Sequence, residues 1–272
     1  MLTGLRAHTS EYDLRDVRYR LYGGGHHAFG IPPRDSVTFW GRSCLYLDVN
    51  GSGIVTDPVF DARYSPLSLR LIGHPDVEHY RGAELILVSH AHADHLSPGT
   101  LASFPPGATV LCPPRVAKYL RGLPLESRTL LPWDSYQGEN LKVTAVPACH
   151  AGGRYSVRQR GDGGAIGFVI ESELGNVYYS GDTSYFDGFL EIGDRFSPDV
   201  SILNVNIHLP GRMALRAVRD LGTGKVVPAH HGAYLSPASP AAARWREQLL
   251  SGFEEGYCEL PVGGSLCLGT EH

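Results

Sequence analysis

The chain has 272 residues, of which 42% are hydrophobic and 19% are charged, and its formal net charge is −4. This composition is typical of a folded protein with a substantial core and excludes an intrinsically disordered chain. Because the charge is slightly negative and no basic block occurs, we expect no nucleic-acid partner.

Cysteine spacing and hydropathy limit the environment of the chain. Its five cysteines are scattered and form no Cys-x-x-Cys pair, which favours free thiols in a reducing compartment. No apolar run approaches the roughly 20 residues of a membrane span, and no secretory signal is visible at the N-terminus. We therefore expect a cytoplasmic protein without a transmembrane segment.

The order of the predicted elements indicates an α/β fold. Residues 1–35 are polar and rich in turn residues, so we interpret them as an N-terminal arm of a single domain that spans 1–272. We interpret His26 and His27 as loop residues of this arm, with a reach towards a site as the alternative. Residues 61–83 are predicted to be an irregular connection. Strands that alternate with helices, and that end in polar groups, predict a layered α/β architecture. The predicted strands cover 37–40, 44–49, 54–56, 85–88, 108–112, 141–146, 166–170, 177–179, 200–205, 226–229 and one or two segments of 257–268; the predicted helices cover 115–121, 213–221 and 240–250.

The most informative stretch is 84–98, where an apolar run leads into four metal-ligating side chains, His90, His92, Asp94 and His95. The apolar run predicts a strand buried on both faces, and Ser97-Pro98 predicts the N-terminus of a helix. In an extended segment, His90 and His92 point to the same side and can hold one cation. A histidine-rich surface loop is the alternative interpretation.

Single metal-ligating residues follow three further predicted strands: His150, Asp182 and His230. Their convergence with the first cluster would create a site for two metal ions. One ion would be held by His90, His92 and His150, the second by Asp94, His95 and His230, and Asp182 would bridge them. Imidazole and carboxylate donors favour zinc, with manganese or iron as alternatives. A metal-bound hydroxide would then be the nucleophile, which Asp94 would help to orient.

Four other residues are candidates for supporting roles. Asp57, at the end of the third predicted strand, is expected to cap a turn or to hydrogen-bond a ligand histidine. His208 follows a buried strand and is a candidate for catalysis and substrate binding, or alternatively a packed loop residue. Arg42 and Arg154 are candidates for binding an anionic group of the substrate, with a solvated charge as the alternative; Arg158 and Arg160 share the loop of Arg154.

These motifs together resemble the signature of the metallo-β-lactamase-fold superfamily. The resemblance lies in His-x-His-x-Asp-His at 90–95, the later His150, Gly-Asp-Thr at 181–183 and His230, and it covers residues 36–235. It implies a four-layer αββα sandwich with a binuclear metal site between the two sheets.

A narrower set of motifs resembles the branch that contains N-acyl-phosphatidylethanolamine-hydrolysing phospholipase D, its bacterial relatives and sugar-phosphate lactonases. This set comprises Thr-Asp-Pro-Val-Phe at 56–60, the segment 181–189, Ile192-Gly193 and Pro-Ala-His-x-Gly at 228–232. The chain departs from this branch at Gly41-Arg42, where the branch has Gly-His, and at Ser97 and Ala151.

The resemblance implies hydrolysis of a phosphodiester, a lactone or a related ester-type bond in a small-molecule or lipid-like substrate. Three alternatives stay open: a di-iron redox enzyme on the same ligand set, a hydrolase of an unusual biosynthetic intermediate, and a binding protein that kept the fold without activity. The last alternative predicts missing ligands, and none is missing from the set. A homo-oligomer is also an open expectation.

Overall fold

A computed structural model describes residues 29–151, 153–154 and 164–269 of the chain. Most of the predicted N-terminal arm, including His26 and His27, therefore lies outside the described residues, and so do Arg158 and Arg160. The extent of a single domain over 1–272 stays a prediction.

The described strands and helices are short, and most strands end in a loop. In chain order the strands are β1 (Ser36–Gly41), β2 (Cys44–Val49), β3 (Ser52–Thr56), β4 (Leu69–Arg70), β5 (Ala83–Leu87), β6 (Thr109–Cys112), β7 (Glu126–Thr129), β8 (Ser135–Gln137), β9 (Lys142–Pro147), β10 (Ile166–Ser172), β11 (Gly175–Tyr179), β12 (Val200–Asn204), β13 (Lys225–Ala229), β14 (Tyr234–Leu235) and β15 (Ser265–Cys267). The α-helices are α1 (Val77–Tyr80), α2 (Pro98–Leu101), α3 (Pro114–Ala117), α4 (Gly188–Phe196), α5 (Gly211–Leu221) and α6 (Ser239–Gly252), and a 3₁₀ helix spans Glu254–Gly256.

Two large sheets carry the fold. The first has seven strands in the order β15-β1-β2-β3-β5-β6-β7, and the second has six in the order β13-β12-β11-β10-β9-β8. In the first sheet, β3, β5, β6 and β7 run parallel, and in the second β11, β12 and β13 run parallel. The strands β4 and β14 form a separate two-stranded sheet.

The inner faces of the two sheets share one apolar core, which brings the sheets face to face. Phe39, Leu47 and Leu87 come from the first sheet, and Phe168 and Ile202 come from the second; each of these side chains is fully buried. Alternation along each strand directs one set of side chains into this core and the next set to the outer face.

Helices cover both outer faces and complete four layers, so the predicted αββα sandwich is confirmed. Leu101 of α2 and Val116 of α3 pack on the outer face of the first sheet. Ile192 of α4, Val218 of α5 and Leu249 of α6 pack on the outer face of the second sheet. Among the described residues, none of the helices is long and apolar enough to cross a membrane.

The local backbone follows the sequence in two places. Asn50 and Gly51 both have positive φ, 52° and 83°, and form the two-residue turn between β2 and β3. Two successive positive φ values are typical of a type I′ turn, which Asn-Gly favours. The Ser97 side chain accepts a hydrogen bond from the Thr100 backbone N at 3.1 Å, and Pro98 is the first helical residue of α2, as predicted.

Other local predictions are wrong. The helix predicted over 115–121 is only the four-residue α3, because the following amides of Tyr119 and Leu120 bond to carbonyls three residues earlier and form tighter turns. The connection 61–83 contains β4 and α1, and α4, β7 and β8 were not predicted. Strand β7 is exposed at all four residues, so it has no apolar pattern; it pairs with β6 at the sheet edge.

The carboxyl ends of the central strands converge on one edge of the sandwich. Strands β3, β5, β9, β11, β12 and β13 end at residues 56, 87, 147, 179, 204 and 229, within three residues of most of the predicted ligands. Ligand sites in α/β sheets tend to lie at this edge, and the topology therefore places the predicted ligands at one location.

Close packing of α4 against α5 depends on a glycine. A Cβ added to Gly193 would lie 2.6 Å from the Asp220 carbonyl oxygen and 2.8 Å from that of Leu221, and neither backbone atom can easily move. We expect Gly193→Ala to lower the free energy of unfolding by about 1–3 kcal/mol in chemical denaturation, through overpacking. Gly73→Ala is the control, because nothing lies within 4 Å of its added Cβ. Equal stability of the two variants would contradict this packing argument.

Candidate metal centre

Three histidine nitrogens meet at the carboxyl edge. His90 and His92 follow β5, and His150 follows β9 of the opposite sheet. His90 Nε2 lies 2.9 Å from His92 Nδ1, and His150 Nε2 lies 3.1 Å from the same atom. The rings stand nearly perpendicular to one another, with interplanar angles of 78° to 88°. Three nitrogens from two sheets therefore point at one location, which we call the first position.

Burial keeps two of these imidazoles neutral. It lowers the pKa of His90 well below its usual value, and the neighbouring His95 lowers it further. Burial also lowers the pKa of His150 to about 4. Neutral imidazoles keep a lone pair on the ring nitrogen, which is the form that a metal ion binds.

Asp94, His95 and His230 form a second group beside the first, which we call the second position. Asp94 Oδ2 lies 3.5 Å from His230 Nε2 and 3.8 Å from His95 Nε2. Asp94 and His95 belong to the segment after β5, whereas His230 follows β13 at the far side of the second sheet. The predicted ligands are therefore brought together in two adjacent groups.

Asp182 lies between the two groups. Its Oδ1 is 3.5 Å from both His95 Nε2 and His230 Nε2, and its ligand atom also groups with those of His150 and His208. Asn204 Nδ2 and Asn206 Nδ2 donate hydrogen bonds to the same Oδ1, at 3.0 and 2.7 Å. The two amides therefore fix a buried carboxylate at the place where a bridging ligand is expected.

The charges at the second position favour a cation. Burial would raise the pKa of Asp182, but the neighbouring His230 and His95 hold it well below its usual value. Burial would lower the pKa of His95, but the carboxylates of Asp182, Asp94 and Asp57 outweigh this effect and raise it well above its usual value. The charges of the neighbouring histidines thus favour the ionised form of Asp182, and the carboxylates around His95 favour a positive charge at that place.

Asp57 accepts four hydrogen bonds beneath the site. The donors are Ser89 N at 2.7 Å, Ser89 Oγ at 2.6 Å, His95 Nδ1 at 2.7 Å and Tyr179 OH at 2.5 Å. Because the Ser89 hydroxyl donates to Asp57, it accepts from His90 Nδ1 at 2.9 Å. Both imidazoles thus use Nδ1 below the site and turn Nε2 towards it, as ligand histidines usually do.

The donor set fits a metal centre. Within the described part of the chain, His95 Nε2 and His230 Nε2 are buried and have no hydrogen-bond partner, although both flank Asp182. Unpaired buried nitrogens are uncommon unless they bind a ligand. Nitrogen and carboxylate donors without a thiolate suit zinc, manganese or iron.

The three remaining candidate residues have different environments. Arg42 Nη2 forms an ion pair with Asp94 Oδ2, a contact without a signal in the sequence. His208 is exposed, and its ring centroid lies 4.5 Å from that of His150. Arg154 Nη1 donates to the Leu96 carbonyl oxygen at 2.8 Å. The catalytic and substrate-binding roles of these residues stay predictions.

Four supporting residues were not identified from the sequence: Ser89, Tyr179, Asn204 and Asn206. Asn204 and Ser89 are fully buried polar residues at the ends of apolar runs, a pattern that could have marked them. Tyr179 gives no such signal, because a tyrosine in a strand is ordinary core composition.

The family model for a beta-lactamase superfamily domain matches residues 53–231, which contain all seven predicted metal ligands. The chain belongs to this superfamily. An uncharacterized protein of Mycobacterium tuberculosis is 31% identical over 227 residues, which are 75% of this chain and 60% of that protein. The chain thus spans less than two thirds of that relative. A protein of Rubrobacter xylanophilus described as a UPF0173 metal-dependent hydrolase is 31% identical over 75% of this chain and 85% of its own.

Solved structures share the superfamily fold at low identity. An isothiocyanate hydrolase from Delia radicum gut bacteria has a TM-score of 0.72 at 19% identity and covers 86% of this chain and 100% of its own. CmlA, a diiron beta-hydroxylase from Streptomyces venezuelae, has a TM-score of 0.67 at 16% identity, and the match covers 87% of this chain and 55% of CmlA. These similarities support the fold. The narrower branch resemblance stays a prediction.

The Asp57 network predicts a measurable loss of stability. Asp57→Asn leaves buried donors without a charged acceptor, so we expect the free energy of unfolding of the chelator-treated protein to fall by about 2–4 kcal/mol. Tyr179→Phe removes one of the four donors and should lower it by about 1 kcal/mol. Chemical denaturation of the three proteins measures both effects. An Asp57→Asn variant as stable as the wild type would show that the carboxylate is not needed there.

Proposed function

We propose that the protein is a metal-dependent hydrolase with a binuclear centre at the carboxyl edge of its two sheets. One observation carries the proposal: seven donors from four separate segments converge, and two of their nitrogens, His95 Nε2 and His230 Nε2, are buried without a hydrogen-bond partner among the described residues. The 31% identical relative described as a metal-dependent hydrolase supports the same class of reaction.

Each position would be held by a different donor set. His90, His92 and His150 would hold one ion, and Asp94, His95 and His230 would hold the other. Asp182 would contact both, because its carboxylate lies between the groups and is held by two amides. Zinc is the expected metal, with manganese and iron as alternatives.

We propose a phosphodiester, a lactone or a related ester-type bond as the target. Bound metal ions would polarise the scissile group and lower the pKa of a water molecule towards neutrality. Asp94 would help to orient the attacking water. The exposed His208 lies next to His150 and would exchange a proton with the leaving group or with solvent.

Two arginines would contact an anionic group of the substrate. Arg154 is partly exposed; its Nη1 is used by the Leu96 carbonyl, and its guanidinium carbon lies 5.5 Å from the centroid of the Tyr119 ring. Arginine has several N–H donors, so the others in Arg154 would donate to a phosphate or carboxylate. Arg42 would act from the opposite loop, next to Asp94.

A di-iron redox enzyme is the second candidate. The donor chemistry is compatible with it, since imidazole and carboxylate also bind iron and no cysteine belongs to the donor groups. A hydrolase of an unusual biosynthetic intermediate is a variant of the first candidate. A small-molecule or lipid-like substrate, a cytoplasmic location and a homo-oligomeric state stay predictions.

Elemental analysis of the purified protein, with an assay on a bis-aryl phosphodiester, tests the proposal. We expect two zinc ions per chain and turnover that chelation abolishes and zinc restores, because a bound metal ion lowers the pKa of water towards neutrality. Two iron ions per chain with oxygen-dependent chemistry and no hydrolysis would favour the redox enzyme instead.

Two ligand variants separate the positions. His150→Ala should lower occupancy of one metal ion only, since His150 belongs to the three-histidine group. Asp182→Ala should lower the occupancy of both ions, because it removes a shared ligand. Turnover should fall by about 10–100-fold. Metal content after gel filtration measures occupancy. An Asp182→Ala protein with two ions and full activity would refute a bridging role.

Arg154 provides a test of substrate charge. Arg154→Ala should leave the metal content unchanged and raise KM for an anionic substrate by about tenfold, the loss of one charge-assisted hydrogen bond. A neutral lactone serves as the matched substrate, whose KM should not change. If the substitution changes the KM of neither substrate, Arg154 does not bind the substrate and its role is structural.

A further inference from the structure

Asn206 contacts two parts of the candidate site with the two ends of one amide group. It lies between β12 and α5, and it is buried. Its Nδ2 donates a hydrogen bond to Asp182 Oδ1 at 2.7 Å. Its Oδ1 accepts hydrogen bonds from the backbone N of His208 at 2.8 Å and from that of Leu209 at 3.3 Å. One side chain therefore joins the Asp182 carboxylate to the turn that carries His208.

The chemistry of these partners fixes the orientation of the Asn206 amide. A backbone N–H only donates, so it needs the amide oxygen, and a carboxylate oxygen accepts, so it needs the amide nitrogen. Rotation of the amide by 180° would therefore break all three hydrogen bonds. A serine at this position could still accept from the two backbone N–H groups, but its hydroxyl is one bond closer to the backbone and does not reach Asp182. The turn alone does not require an amide, whereas the turn and the carboxylate together do.

The turn closed by Asn206 sets the place of an exposed histidine. The side chains of Ile207 and His208 are both exposed, whereas Leu209 is fully buried in the core beneath α4 and α5. The His208 ring nevertheless lies beside the candidate centre, with its centroid 4.5 Å from that of His150. Because an exposed ring is not held by packing, its position depends on the backbone turn that carries it.

Asn204 supports the same carboxylate without this link. It is fully buried, and its Nδ2 donates to Asp182 Oδ1 and to Ser43 Oγ, both at 3.0 Å. Its Oδ1 has no hydrogen-bond partner among the described residues. The two asparagines thus donate to one carboxylate oxygen, but of the two it is Asn206 that extends the contact to the turn of His208.

We propose that Asn206 is a positioning residue that couples the metal centre to this turn, so that occupation of the centre orders the backbone N–H groups of His208 and Leu209. This inference rests on the proposed metal centre. When Asp182 is held as a metal ligand, Asn206 Nδ2 has a fixed partner. Because resonance keeps the amide planar, Oδ1 is then also held against the two N–H groups. By linkage, the ordered turn strengthens metal binding by the same factor.

Hydrogen exchange of backbone amides, measured by NMR in chelator-treated and in zinc-saturated protein, tests the proposal. In the wild type we expect zinc to raise the protection of the His208 and Leu209 amides by about tenfold, the effect of one buried hydrogen bond to a charged group. Asn206→Ser keeps an acceptor for the turn and loses the contact with Asp182, so zinc should change this protection by less than about twofold. A purely structural role would lower the protection equally with and without zinc.

Asn204→Ala is the matched control, because it removes the other amide from Asp182 Oδ1 and leaves the turn in place. Both asparagine variants should weaken zinc binding by about 10–100-fold in isothermal calorimetry. At saturating zinc, however, Asn204→Ala should keep the wild-type effect of zinc on the two amides. His208→Ala should keep it as well, because the coupling uses the backbone N and not the ring.

Four results would each overturn the proposal. They are zinc binding without a change in the protection of the two amides in the wild type, a full zinc effect in Asn206→Ser, an unchanged zinc affinity in Asn206→Ser, and loss of the zinc effect in Asn204→Ala or His208→Ala. If circular dichroism shows that Asn206→Ser is unfolded, the wild type, Asn204→Ala and His208→Ala decide. A wild-type protein that binds neither zinc, manganese nor iron would instead overturn the proposed metal centre, and this inference with it.

Discussion

Buried negative charge is the constraint on which the candidate centre depends. Asp57 and Asp182 are buried, and Asp94 is largely buried beside them, where the two sheets meet. A buried carboxylate destabilises a protein strongly unless donors or cations surround it. Each of these groups is accordingly surrounded: Asp57 by four hydrogen-bond donors, Asp182 by two amides and two histidines, and Asp94 by an arginine and two histidines.

The two sheets supply different members of this cluster of buried carboxylates and their partners. The first sheet delivers Asp57 and the cluster after β5, and the second delivers His150, Asp182, Asn204 and His230. Tyr179 of the second sheet donates to Asp57 at the end of the first, so one hydrogen bond joins the layers directly beneath the site. The geometry of the centre therefore depends on how the sheets pack, and a shift between them would separate the ligands.

The electrostatic difference between the two positions also follows from their surroundings. Burial is the largest effect on His90 and His150 and lowers their pKa values, although the Asp182 carboxylate acts in the opposite direction. His95 is equally buried, but three carboxylates face it and raise its pKa. The same residue type thus has its pKa lowered at His90 and His150 and raised at His95. Membership in the beta-lactamase superfamily explains the shared fold.

The amino-acid sequence by itself determined the class of fold, most strands and the seven metal-ligating candidates. Apolar runs ending in histidine or aspartate are local signals, and strand ends meet at one edge by topology, so the convergence of His90, His150 and Asp182 could be predicted. Short elements such as β7 and α3 were missed or mispredicted, because their extent depends on neighbours rather than on local pattern. Only the tertiary structure decided the ion pair between Arg42 and Asp94, the Asp57 network and the amides on Asp182. Those contacts join residues from separate segments, and no local periodicity encodes which buried charge a distant side chain will balance.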